Sequence, residues 1–102
     1  MRVRWTRGAV ADLIEIGDFI AQDNPTAAGR VIQSICDQVR SLRNLPQIGR
    51  PGRIEGTREL VHPRYPYIVA YRIVRDDAEI LAVRHTSRHW PEQIDYNNSV
   101  AF

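Results

Sequence analysis

The stretch from Arg58 to Pro91, RELVHPRYPYIVAYRIVRDDAEILAVRHTSRHWP, constrains the fold more than any other part of the chain. The runs Tyr67 to Val74 and Glu79 to His85 alternate as strands and are rich in β-branched and aromatic side chains, with a polar connection at Asp76-Asp77. That pattern predicts an antiparallel hairpin. A third strand, Arg58 to His62, precedes it across a turn holding Pro63 and Pro66. Three such strands form a sheet with an apolar face, and that face needs a covering layer.

The upstream residues supply the layer. Met1 to Trp5 alternates Val3 with Arg2 and Arg4, as a short edge strand would. Thr6 is placed to cap a helix in which Val10, Leu13, Ile14, Gly17, Ile20 and Ala21 recur at spacings of three and four, with Ile16 and Phe19 widening the stripe. Asn24-Pro25 ends this helix and starts a second, because Asn caps well and proline at the first helical position loses no hydrogen bond. The second helix is expected to run to about Asn44, with Ala28, Ile32, Ile35, Val39 and Leu42 on one stripe and Pro46 stopping it. From Pro46 to Thr57, two prolines, three glycines, Arg50 and Arg53 suggest an exposed, positively charged loop. The expected architecture is α+β: a two-helix antiparallel hairpin on one face of a small, mainly antiparallel sheet, in the order β-α-α-β-β-β. A chain of 102 residues with 43% hydrophobic content suits one domain spanning residues 1–102.

A helix hairpin covers only one face of a sheet. Tyr67, Val69, Tyr71 and Ile73 carry the bulkier groups and are assigned to the helices, leaving Ile68, Ala70, Val74, Ile80 and Ala82 outward around Arg72 and Arg84. An apolar patch of that kind marks a partner site, although a loop, the C-terminal tail or a second copy could cover it instead. Arg88 and Trp90 follow the last strand, and arginine with tryptophan is enriched at interface hot spots. Trp90 serves equally as a cap on the core.

Composition narrows the chemistry. All fourteen basic residues are arginine, which suits an anionic partner surface, but a GC-rich genome gives the same bias and the net charge is only +2. Cys36 stands alone, so no internal disulfide forms, and its position beside Ile35 suits a small buried apolar residue. No run approaches the ~20 apolar residues of a membrane span, and MRVRW leads into a helix bearing Asp12, Glu15 and Asp18, so a cytoplasmic location without membrane contact is expected. His62, His85 and His89 are scattered, with no metal-ligand spacing, and no cofactor is expected.

The order of elements, with Asn24-Pro25, Ala27-Ala28, Pro46-x-x-Gly49-Arg50-Pro51, Arg58-Glu59-Leu60, Pro66-Tyr67, Ala70-Tyr71-Arg72 and Val83-x-His85-x-x-Arg88-x-Trp90-Pro91, resembles the RelE/ParE family of bacterial toxins from type II toxin–antitoxin modules. The resemblance covers nearly the whole chain and implies a cognate antitoxin encoded beside it. RelE-like members cut messenger RNA on the ribosome without a metal; ParE-like members poison DNA gyrase. In the nuclease branch a cation sits three residues before the tyrosine matching Tyr71, and that position here is Ile68. The resemblance therefore points toward the ParE branch, with Arg84, Arg88, Trp90 and Arg50 expected to meet the target, and Ile68, Ala70, Arg72, Val74, Ile80 and Ala82 the antitoxin. The alternative is a ribosome-dependent endoribonuclease built on His85, Arg84 and Arg88, since His85 has the intrinsic pKa for acid–base work. Glu59 and Arg58 are adjacent on one strand, so they point to opposite faces and cannot serve one site; ordinary edge-strand charge is the simpler expectation.

Overall fold

The computed structural model describes residues 1–87 and the backbone of residues 99–101. Its elements are β1 (Arg2–Thr6), α1 (Arg7–Ala21), α2 (Pro25–Arg40) with a 3-10 turn at Ser41–Arg43, β2 (Arg50–Pro51), β3 (Arg58–Val61), β4 (Tyr67–Val74), β5 (Asp77–His85) and β6 (Ser99–Ala101). They form one sheet in the order β2-β3-β4-β5-β1-β6, antiparallel except for the β1–β5 pair. The α+β architecture and the helix hairpin follow the expected order. Two short strands are additional, and they change the edges. β1 is not an edge strand, because β6 pairs outside it, and the Pro46–Thr57 loop supplies β2 as the opposite edge.

Both helix starts are fixed locally. Thr6 Oγ1 accepts the Ala9 N–H at 3.2 Å, and Asn24 Oδ1 accepts that of Ala27 at 3.0 Å, with Pro25 opening α2. The two helices meet closely where Gly17 faces Ile32: a Cβ at Gly17 would stand 3.4 Å from the Ile32 side chain. Val10, Leu13, Ile16 and Ile20 of α1 pack on the core, as do Val31, Ile35, Val39 and Leu42 from α2 and its turn. Ile14 and Phe19 do not. They are 59% and 71% exposed, because α1 carries more apolar residues than the face it turns to the sheet can hold.

The helix-facing side of β4 is the one anticipated, with Tyr67, Val69, Tyr71 and Ile73 in or against the core. β5 departs from strict alternation. Ala70 pairs with Ala82 but Tyr71 pairs with Ile80, so Leu81 is an extra residue and the two sides of β5 exchange across it. Ile80, expected to face outward, lies fully buried in the main core with Ala78, while Val83 reaches the same core from beyond the bulge. One inserted residue is sufficient to reverse the side, since the period of a strand is two.

Tyr71 ties the sheet to the segment after α2. Its ring is fully buried, its hydroxyl donates to the Pro46 carbonyl at 2.8 Å and accepts the Gly49 N–H at 2.9 Å. A Cβ at Gly49 would lie 2.6 Å from the ring, so only glycine admits this approach. Tyr71→Phe keeps the packing but leaves a buried N–H and a carbonyl without partners, at a cost of about 1–3 kcal/mol. We expect a fall in Tm of roughly 5 °C or more on thermal unfolding, with Gly49→Ala more damaging still; an unchanged Tm for Tyr71→Phe refutes this role.

Candidate interaction site

The arginines expected to reach partners are in large part held by carboxylates of the same chain. Arg84 Nη1 bonds Asp12 Oδ2 of α1, with both side chains mostly buried. The same carboxylate accepts the Val83 N–H at 2.9 Å. Burial pushes the Asp12 carboxyl above the ordinary carboxylate range, against the pull of that N–H and of the guanidinium. On β4, Arg72 Nε meets Glu79 Oε1 of β5 at 2.7 Å. At the β2 edge, Glu59 is only 3% exposed and takes Arg50 at 3.0 and 3.2 Å on one oxygen and the Arg53 N–H at 3.0 Å on the other. Glu59 is therefore not ordinary edge-strand charge: β2 covers β3, and the buried carboxylate secures the loop. Arg50, expected at the target surface, is half exposed but committed to that contact. Arg58 points away from it, with its guanidinium on the Gly49 carbonyl at 2.8 Å and on Gln47 Oε1 at 2.7 Å.

The outward face of the sheet is not open along its length. Ile68 is 3% exposed, and Ala70 and Ala82, a pair across β4 and β5, are buried as well. Arg72 and Val74 stay accessible at the far end of β4. Ile80 belongs to the other side altogether.

His85 and Arg84 do not converge. The His85 imidazole is exposed at the end of β5, Nδ1 lies 2.8 Å from Ser87 Oγ, and its ring stands edge-on to Tyr67 at 5.4 Å. Arg84, the preceding strand residue, turns to Asp12. Arg88, His89, Trp90 and Pro91 lie outside the described residues. Among the described residues no group of three His, Cys, Asp or Glu side chains could hold a metal ion, and no helix is long and apolar enough to cross a membrane.

Sequence reasoning passed over His62. It is buried between β3 and α2, with Nε2 2.8 Å from Ser34 Oγ, while Nδ1 accepts the N–H groups of Arg64 and Tyr65, each at 3.1 Å. Two backbone donors on Nδ1 require it to be unprotonated, which places the ring proton on Nε2, pointing at the serine. The one available signal was its position beside Pro63, at the start of a tight turn.

A sequence model of the ParE toxin of type II toxin–antitoxin systems, parDE, matches residues 3–90. The chain belongs to this family. Y4kP of Sinorhizobium fredii, named as a candidate toxin, is 50% identical over 91 residues, covering 89% of this chain and 94% of that protein. Toxin RelE2 of Caulobacter vibrioides is 33% identical over 87 residues, covering 85% and 97%. A solved chain of the chromosomal ParDE toxin–antitoxin system from P. aeruginosa superposes with a TM-score of 0.78 at 31% identity, over 85% of this chain and 97% of that one. The protein is thus a toxin of a type II, ParDE-like toxin–antitoxin system.

Within the toxin, His62 gives a pH dependence with a definite sign. Desolvation first, and Arg64 second, lower its pKa from 6.5. The folded state disfavours the proton, so this stability is fully present above the unfolded pKa and is lost as pH falls from about 6.5 toward the lower folded value. Wild-type Tm is expected to drop more between roughly pH 7 and 5 than that of His62→Gln, whose amide does not titrate in this range. Parallel pH profiles of the two proteins would exclude the effect.

Proposed function

We propose that this toxin arrests growth by binding its target rather than by cutting RNA, that the target is DNA gyrase as resemblance to the ParE branch implies, and that a cognate antitoxin neutralises it in the cytoplasm. The observation that carries the reading is Ile68. An aliphatic, 3% exposed side chain stands where the nuclease branch has a phosphate-binding cation. RNA cleavage without a metal needs a base, an acid and cations converging on one phosphate, and Arg84, the nearest cation on the neighbouring strand, is engaged by Asp12.

Target contact then falls on side chains that follow β5, Arg88 and Trp90, with Arg50 secondary because Glu59 holds it. The antitoxin contact proposed for the sheet reduces to its accessible end, Arg72 and Val74. The second reading, a ribosome-dependent endoribonuclease, is favoured by one feature: the exposed His85 imidazole beside Tyr67.

Two measurements separate them. Purified toxin is expected to inhibit gyrase supercoiling and to leave messenger RNA intact on translating ribosomes; cleavage at A-site codons that His85→Ala abolishes would establish the nuclease instead. In cells, Arg88→Ala or Trp90→Ala is expected to reduce toxicity much more than Arg75→Ala, since truncating an interface arginine costs on the order of 2 kcal/mol, about thirtyfold in affinity. Arg75 lies exposed at the β4–β5 turn. Arg84→Ala is not a fair probe of the interface, because it leaves the Asp12 carboxylate buried without its guanidinium, a loss of about 3–5 kcal/mol in stability.

A further inference from the structure

On the flank of the core, β1 and the C-terminal half of α2 stand apart and leave a cleft of about 320 Å³. Its bed is apolar: Val3 and Trp5 from β1, Leu13 from α1, Cys36 and Val39 from α2. Trp5 and Val39 are themselves buried in the main core, while Val3, Leu13 and Cys36 are half-buried against it, so the cleft is an unfilled margin of the core rather than a fold in the surface. Its volume lies at the lower end of the ~300–1,000 Å³ typical of ligand clefts, enough for one or two large side chains.

The rim is cationic. Arg40 closes α2 and Arg43 follows in the 3-10 turn, three residues on, and both are exposed. Arg40 shares an exposed ion pair with Asp37 at 2.8 Å, whereas no carboxylate of the described residues pairs with Arg43. Among the described residues no acidic side chain lines the cleft. Guanidinium groups over an apolar bed select a ligand with an apolar group to bury and carboxylates beside it, since arginine meets a carboxylate with two parallel hydrogen bonds. A nucleic-acid backbone satisfies the rim but leaves the bed empty. Tryptophan and arginine together are also the residues most enriched at interface hot spots.

We propose that this cleft receives the antitoxin, through an aliphatic or aromatic side chain flanked by acidic residues; the assignment rests on the antitoxin reading given above. It places an antitoxin contact on the helix side of the sheet, next to β1, and away from Arg72 and Val74 on the opposite face.

The test uses the full-length toxin and the antitoxin produced from the reading frame adjoining its gene. Arg40→Glu/Arg43→Glu, at exposed positions, is expected to melt near the wild-type temperature and to bind the antitoxin at least tenfold more weakly, with Arg40→Lys/Arg43→Lys losing less. Cys36 is the chain's only cysteine and provides an independent readout. Its alkylation by N-ethylmaleimide at mildly alkaline pH is expected to slow at least tenfold in the wild-type complex. If the wild-type complex forms but the charge-reversed toxin binds as tightly, or Cys36 reacts at its free rate, the cleft is overturned as the docking site while the antitoxin reading stands. If wild-type toxin binds no such antitoxin, that reading fails and the cleft assignment with it.

Discussion

β5 is central to the sheet, yet β1 runs beside it only from Asp77 to Ile80. Beyond Ile80 the backbone groups on that side of β5 pair with no strand among the described residues, and buried groups without partners are costly. The transition from β1 into α1 supplies what is missing. Thr6 Oγ1 donates to the Ile80 carbonyl at 2.8 Å while accepting the Ala9 N–H that starts the helix. One turn further, Asp12 takes the Val83 N–H and the Arg84 guanidinium. A single helix face thus completes a strand's hydrogen bonding and positions the hairpin over the core.

The bulge at Leu81 belongs to the same arrangement. It falls where β1 stops and α1 takes over, between the Ile80 carbonyl held by Thr6 and the Val83 N–H held by Asp12. Its effect on side chains is large. Ala78 and Ile80 before it join Val83 after it in one core, and Ala70 with Ala82 forms a separate small cluster on the other side. The apolar content of β4 and β5 is therefore divided between two buried clusters rather than between a core and a bare surface.

How much of this was legible follows from range. Thr6, Asn24 and Pro25 could be read because capping involves residues three apart, and the β4 face because Tyr67 to Ile73 alternates without interruption. Ile80 was misplaced because strict alternation cannot detect an inserted residue, and Leu81 is neither glycine nor proline to mark it. Ile14 and Phe19 were counted into a stripe that the hairpin is too narrow to cover. The carboxylate partners were beyond reach for a different reason. Asp12 and Arg84 are 72 positions apart, Asp77 and Arg2 are 75 apart, and sequence spacing carries no signal for either pair.

These pairs also bear on what the all-arginine composition does. Arg2 and Arg4 share Asp77, Arg50 and Arg53 share Glu59, Arg72 has Glu79, and Arg84 has Asp12. The carboxylate receiving the Arg50–Arg53 pair is buried, where the planar, bidentate guanidinium has its advantage over an ammonium. Arg50 and Arg53 fasten the loop at the β2 edge, while Arg72 and Arg84 tie β4 to β5 and β5 to α1, a structural use of charge. A formal charge of +2 then says little about recognition, because it averages arginines already neutralised within the fold with those that are not. Arg43 pairs with no carboxylate of the described residues, and Arg40 beside it holds only the exposed ion pair with Asp37; both rim an apolar cleft, whereas Glu15 and Asp18 flank the exposed Ile14 and Phe19 on α1. The two helices thus present apolar surfaces bordered by side chains of opposite charge.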